Sequence, residues 1–129
     1  MKYGNEKTEI NGIVFASKKE GKRYLELKLL ERGGKIYNLE CQKEFLLVPN
    51  RYYGKELVRS LKYIADFYYF DVERNEWIAE DTKGYQPAEY KIKKKIFLDK
   101  FVRSGQLTFF ENGNKQIYYK KIEKNEKSS

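Results

Sequence analysis

The chain has no histidine among its 129 residues, and this absence narrows the chemistry open to it. It excludes Ser-His-Asp and Cys-His nucleophile pairs, His-ligated zinc and a histidine general base. Cys41 is the sole cysteine, which excludes an internal disulfide and a Cys-rich zinc site and favours a reducing compartment. If the chain is an enzyme, it must work with carboxylates and lysines, with or without a hard metal ion.

Long apolar runs are also missing. No segment approaches the roughly 20 apolar residues needed to span a bilayer, and the opening stretch MKYGNEKTE lacks the apolar core of a signal peptide. We therefore expect a soluble, cytoplasmic protein without a membrane element.

Positive charge is in excess and unevenly distributed. Against 19 Asp and Glu there are 27 Lys and Arg, a formal charge of +8, and residues 84–129 hold 11 of these basic and 5 of these acidic side chains. Such a surplus favours a polyanionic partner, and nucleic acid is the first to consider. The 40% hydrophobic content suffices for the core of one domain, which we place at 1–122, with 123–129 as a disordered charged tail.

Turn dipeptides, capping residues and hydrophobic periodicity predict the order of elements. The first elements are a hairpin over 10–15 turned by Asn11-Gly12, a helix from Ser17 to Gly33-Gly34, and a short strand at 45–48 followed by a loop at 50–55. Next come two strands, at 57–71 and 77–83, which we expect to pair as a hairpin. A helix from Pro87 to about 103 follows, and the last element is a hairpin of 107–110 with 116–119 turned by Asn112-Gly113. The pattern predicts an α+β or α/β domain, with helices packed on a mixed sheet.

Charged residues interrupt two of the apolar strands. Side chains alternate along a strand, so Asp81 and Lys83 share one face while Glu80 and Thr82 share the other. Pairing of the strands can place Asp66 beside them, and two carboxylates about 4 Å apart repel by roughly 4 kcal/mol at an effective dielectric near 20. Lys83 supplies one compensating cation. A hard divalent ion, Mg²⁺ or Mn²⁺, would supply the other.

Two stretches of the sequence resemble a known nuclease motif, Y-I-A-D-F at 63–67 and E-D-T-K-G at 80–84. An aspartate followed by a strand ending Asp-x-Lys is similar to the motif of the PD-(D/E)XK nuclease superfamily, and the element order resembles its αβββαβ core. With G-I-V-F-A-S-K-K-E at 12–20 and R-Y-L-E-L at 23–27, the chain looks like an uncharacterised phage and prophage family within it. The chain departs from the pattern at Ala65, where the superfamily name has proline, and at Gly21 inside the first helix.

The resemblance implies a metal-dependent endodeoxyribonuclease. Asp66, Asp81 and the backbone carbonyl of Thr82 would hold Mg²⁺ or Mn²⁺, and Lys83 would position water or stabilise the pentacovalent charge. Glu20 has two readings: it closes a capping box with Ser17, or it joins the metal site from the inward stripe of the first helix. Glu80 is interpreted as a supporting or outward-facing group.

The second helix presents lysines after the predicted site. Lys91, Lys94 and Lys95 lie at i, i+3 and i+4, and we expect this ridge to contact phosphates, although a solvated helix face is the alternative. The pair Gln86-x-x-x-Tyr90 resembles a motif of some helicase-associated nucleases, but Tyr90 is better explained as a core residue.

The small size leaves little room for a module that reads base sequence, which favours selection of DNA structure. By analogy with small junction resolvases and phage recombination nucleases, we expect a homodimer that cuts branched or junction DNA in a bacterial or phage-infected cytoplasm. The alternatives are a non-catalytic basic nucleic-acid binding module and an interaction protein on a nuclease-like fold.

Overall fold

The computed structural model describes residues 6–123 and contains two helices and nine strands within that range. The predicted disordered tail lies almost wholly outside the described residues. In chain order the elements are β1 (Thr8–Ile10), β2 (Ile13–Phe15), α1 (Lys18–Arg32), β3 (Ile36–Val48), β4 (Arg51–Tyr53), β5 (Glu56–Val58), β6 (Leu61–Asp71), β7 (Glu76–Asp81), α2 (Ala88–Phe97) with a π-helical continuation (Leu98–Val102), β8 (Thr108–Asn112) and β9 (Gln116–Tyr119).

The central sheet has five strands in the order β3-β6-β7-β8-β9. The β7–β8 pair is parallel and the other neighbours are antiparallel, which confirms the predicted mixed sheet. Ile78 packs with residues of α1 and the adjacent Ala79 packs with residues of α2, so the two helices cover opposite faces of the sheet. In the described part of the chain, neither helix has the length and apolar character needed to cross a bilayer.

The predicted first hairpin and first helix are confirmed. Asn11 and Gly12 turn the hairpin with φ values of 52° and 81°, and the Ser17 hydroxyl caps α1 by accepting the Glu20 N–H at 3.2 Å. Gly21 has a packing reason: a Cβ at this position would lie 3.1 Å from the Ile10 side chain. The glycine therefore lets the hairpin pack closely against the helix.

The stretch between α1 and β6 differs most from the prediction. β3 is 13 residues long, whereas the sequence predicted four, because the first part of this edge strand is polar and gives no apolar strand signal. Asn38 and Gln42, each with φ +56°, also interrupt its regular geometry. The predicted loop at 50–55 is wrong, since this stretch contains β4 and the turn to β5 at Gly54. All six residues of β4 and β5 are exposed, so no buried stripe marks them in the sequence.

The last hairpin forms, but its turn differs from the predicted one. Asn112 ends β8, neither it nor Gly113 has a positive φ, and residues 113–115 make the connection. A Cβ on Gly113 would overlap the carbonyl oxygen of Lys83. Glycine is needed here for the close approach of the turn to the end of β7.

Candidate active site

The central irregularity of the site is at Asp66, where β6 changes the face to which its side chains point. Ala65 belongs to the core under α2, whereas Phe67 belongs to the core under α1, although strict alternation would place both on one face. The opposite residue on β3 is Gln42, with its positive φ, and the ladder skips this pair. Asp66 is only 8% exposed. The kink therefore buries its carboxylate between the two layers.

Thr82 holds the Asp66 carboxylate from the end of β7. Its backbone N–H and its hydroxyl both donate to Asp66 Oδ2, at 2.8 and 2.9 Å. Two hydrogen bonds to one oxygen fix the orientation of the carboxylate and leave Oδ1 directed elsewhere. The hydroxyl and the backbone N–H of Thr82 thus position the Asp66 carboxylate. The proposed role of its carbonyl stays a prediction.

Asp81 is the most deeply buried member of the site, with no exposed surface. The Tyr63 hydroxyl donates to its Oδ2, while its Oδ1 has no hydrogen-bond partner, the one such buried side-chain atom within residues 6–123. Burial and then the neighbouring Asp66 raise the pKa of Asp81 well above its usual value. A buried carboxylate oxygen without a donor is costly, so this atom needs a cation or a proton.

Lys83 lies on the same face as Asp81, as predicted. Its Nζ is 3.8 Å from the unpartnered Asp81 Oδ1 and 5.5 Å from the centre of the Tyr90 ring. That separation is an ion pair and too long for a hydrogen bond. Because the Lys83 side chain is 38% exposed, it can reach a phosphate in solvent as well as the carboxylate.

Glu20 reaches the site from α1. Its carboxylate accepts from the Gln42 amide at 2.8 Å, and the residue is 4% exposed. Burial, followed by the charge of Asp66, raises the pKa of Glu20 from 4.5 to about 7, while Lys83 acts in the opposite direction. The helix is capped by Ser17, and the Glu20 side chain is turned toward Gln42 and the acidic cluster.

The acidic groups do not form a closed cage. No set of three or more Asp, Glu or Cys side chains in the described part of the chain is arranged to hold a metal ion by itself. Asp66, Asp81 and Lys83 instead lie close together, and Glu20 lies near enough for its charge to interact with that of Asp66. A groove of about 350 Å³ leads from Asp81 and Lys83 along Lys62 and Ile64 of β6, past Lys93 of α2.

The sequence left Glu80 as either a supporting or an outward-facing group, and the structure shows that it does not face outward. It is fully buried on the α1 side, where Arg23 makes two bonds to its carboxylate, at 2.5 and 3.0 Å. The Tyr69 hydroxyl and the Asn112 amide donate to the same carboxylate. Both carboxylate oxygens of Glu80 therefore have hydrogen-bond donors, whereas Oδ1 of its strand neighbour Asp81 has none.

A second carboxylate network was missed from the sequence. Glu111 of β8 is buried, and its Oε2 accepts from Gln86, Tyr90 and Lys94 at 3.1, 2.7 and 2.9 Å. The Gln86-x-x-x-Tyr90 spacing was the available signal, but its acidic partner is 21 residues beyond Tyr90 in sequence. The network fixes the start of α2 beside Lys83.

This network changes the predicted ridge of lysines. Lys94 is only 15% exposed and is paired with Glu111, so it does not face solvent as the ridge requires. Lys91 and Lys95 are exposed, and phosphate contact stays a prediction for these two.

A protein-family model described as protein of unknown function (DUF1064) matches residues 1–118 of the chain. The chain belongs to the DUF1064 family. Every site residue described above lies within the matched range. No curated protein and no solved structure matches the chain.

Proposed function

We propose that this DUF1064 protein is a metal-dependent endodeoxyribonuclease of the PD-(D/E)XK type. The observation that carries the proposal is the unpartnered Oδ1 of buried Asp81, flanked by Asp66 and facing Lys83. The strand and helix order α1, β3, β6, β7, α2, β8 also agrees with the αβββαβ core that the sequence resemblance implies. A strand-end Asp-x-Lys beside a second aspartate suits phosphodiester hydrolysis.

The donor set fits Mg²⁺ or Mn²⁺. These ions favour oxygen ligands, and Mg²⁺ in particular is usually bound by one or two carboxylates together with waters and substrate phosphates. The two neighbouring aspartates Asp66 and Asp81 match that number of carboxylates. Asp66 and Asp81 would hold the ion together with the Thr82 carbonyl. Glu20, whose carboxylate is held by Gln42 and which forms no three-acid set with them, would orient the shell. When bound, the ion supplies Lewis-acid activation of water and of the scissile phosphate.

The chain's own groups then divide the remaining tasks. Thr82 and Tyr63 hold the two aspartates in place through their hydrogen bonds, before substrate arrives. Burial and then the charge of Asp81 raise the pKa of Tyr63 well above 10, which keeps its hydroxyl a donor at neutral pH. Lys83, partly exposed, stabilises the charge that develops on the phosphate or positions the attacking water.

Branched DNA is the substrate class we favour, and a homodimer the active form. The groove beside Asp81 is lined by Lys62, Lys83 and Lys93 together with Glu89, and it offers no recognisable base-reading element. Lys93 pairs with Glu89 and Lys62 with Glu44, so Lys83, which is 38% exposed, is the groove cation best placed to meet a phosphate. A dimer follows only from analogy with small resolvases. We place the activity in the cytoplasm of a bacterium or phage-infected host, in recombination or replication.

The direct test uses purified protein with labelled junction, flap and linear duplex DNA. We expect cleavage with Mg²⁺ or Mn²⁺, no cleavage in EDTA, and faster cleavage of branched than of linear substrates. Salt-sensitive binding without cleavage in any metal would favour the non-catalytic binding module. Neither binding nor cleavage would contradict both readings.

Protons and a divalent ion would compete for the same carboxylates, so the stabilisation of the fold by the ion should depend on pH. The Glu20 pKa of about 7 lies above its unfolded value of 4.5, so this group's stabilising contribution is present below about pH 4.5 and is lost as pH rises through 7. The rise corresponds to at most about 3 kcal/mol. A divalent ion needs the charged carboxylates, so its stabilising effect grows over the same window.

We therefore expect millimolar Mg²⁺ to raise the unfolding temperature by about 3–5 °C at pH near 8, and by much less at pH near 5.5. Differential scanning fluorimetry measures this without any substrate. Glu20→Gln should flatten the pH dependence of the metal-free protein. An equal Mg²⁺ effect at both pH values would contradict the proposed ligands.

A further inference from the structure

The β4–β5 hairpin is a continuation of the β3–β6 ribbon beyond the edge of the sheet. Val48 pairs with Leu61 at the end of the central sheet, and after a short break Arg51 pairs with Val58 in the same register. The Ser60 N–H donates to the Asn50 side chain at 2.6 Å and closes the ribbon at this break. The hairpin thus has a fixed base, and we call its residues 51–59 the wing.

The wing has no core of its own. All nine of its residues are exposed, and Tyr52 and Tyr53 are 71% and 65% exposed. An isolated two-stranded hairpin is marginally stable in water, so a well-formed one with aromatic and aliphatic side chains in solvent suits a surface that a partner covers.

The charge of the wing indicates which partner covers it. It carries Arg51, Lys55 and Arg59 against Glu56, a surplus of two positive charges. Within the described residues, none of these three cations has an ion-pair partner. A second copy of the same wing would meet it with like charge, whereas a phosphate backbone would neutralise it.

The distance between the wing and the candidate active site determines where along the DNA the wing would make contact. Leu57 lies nine positions before Asp66, which gives a reach of up to about 30 Å, close to one turn of duplex DNA. The groove that begins at Asp81 and Lys83 runs along Lys62 and Ile64 toward the base of the wing. A two-stranded ribbon also has the width that the major groove admits.

We propose that the wing is a DNA-binding element that grips the duplex about one helical turn from the cut. The inference rests on the proposed nuclease function and adds a second contact to it. Arg51, Lys55 and Arg59 bind backbone phosphates, and Tyr52 and Tyr53 pack against the duplex between them.

The test compares two variants with the same loss of charge. Arg51→Ala/Lys55→Ala removes one arginine and one lysine from the wing. Arg32→Ala/Lys35→Ala removes the same pair near the opposite end of the ribbon, from the end of α1 and the turn before β3, where both are exposed. Fluorescence anisotropy in EDTA measures the affinity for junctions whose arms are either about 5 or about 15 base pairs long.

We expect wild-type protein to bind the long-armed junction at least about 10-fold more tightly than the short-armed one. The wing variant should lose most of this gain and lower the slope of log affinity against log salt by about 0.9 for each phosphate contact removed. Tyr52→Ala/Tyr53→Ala should weaken long-arm binding with little change in slope. The control should retain the full gain.

The outcomes separate the two proposals. Wild-type cleavage with equal long-arm affinity for the wing variants would overturn the wing and leave the nuclease assignment intact. A wing variant that binds normally but changes oligomeric state, measured by light scattering, would assign the wing to an interface between copies and overturn its DNA role. If no protein cleaves DNA but the wing variant loses the long-arm gain and the control keeps it, the wing would be supported and the nuclease contradicted. No DNA binding by wild type would overturn both.

Discussion

Asp81→Asn is expected to reduce DNA cleavage by at least about 10³-fold, while the variant still folds and binds DNA. The substitution removes one of the two charged carboxylates that face the proposed metal position, and losses of this size correspond to about 4 kcal/mol of transition-state stabilisation. Burial and the neighbouring Asp66 raise the pKa of Asp81, so removing its charge should not destabilise the metal-free protein at pH near 8. Cleavage rates and unfolding temperatures, measured together, check both parts.

Lys83→Ala should lower cleavage about 10²- to 10³-fold and leave Mg²⁺ stabilisation in place, because Lys83 faces the carboxylates without being a ligand. Asp99→Asn is the matched carboxylate control, since Asp99 is exposed on the π-helical continuation of α2. It should cleave like wild type. Asp81→Asn protein that retains full, EDTA-sensitive cleavage would rule out Asp81 as a ligand.

Much of this arrangement is predictable from the sequence because the signals are local. The Asn11-Gly12 turn, the Ser17 cap and the period-2 apolar strands each depend on neighbouring residues, and they suffice to define α1, the β6–β7 hairpin and α2. Alternation along the predicted strand at 77–83 likewise places Asp81 and Lys83 on one face, and the two side chains are in contact although β7 itself ends at Asp81.

Other parts depend on residues distant in sequence, which explains why they were missed. The change of face at Asp66 arises opposite Gln42, a polar residue with a positive φ that no local pattern predicts. The Glu111 network joins α2 to β8, and the wing has no buried stripe at all. Gly113 is required because of the Lys83 carbonyl, 30 residues earlier in the chain.

Arg23→Ala should destabilise the fold by about 3–5 kcal/mol, the usual effect of leaving one charge of a buried pair without its partner. Glu80 has no exposed surface, and Arg23 provides two of its hydrogen bonds. Thermal or urea unfolding measures the loss, which should appear as a fall of at least about 10 °C in unfolding temperature. Lys62→Ala is the control, because its pair with Glu44 is about half exposed and should change stability by less than about 1 kcal/mol.

The same variant distinguishes the two adjacent acids of β7. Adding Glu80→Gln to Arg23→Ala removes the unpaired buried charge and should recover at least about half of the lost stability. Mg²⁺ should still raise the unfolding temperature of the Arg23→Ala protein, because Asp81 points to the opposite face of the sheet and keeps its contacts with Tyr63 and Lys83. A loss of the Mg²⁺ response with little loss of stability would instead place Glu80 in the metal site. These results would assign Glu80, whose carboxylate is fully hydrogen-bonded, to the support of the sheet and would leave Asp81, with one oxygen lacking a donor, as the proposed ligand.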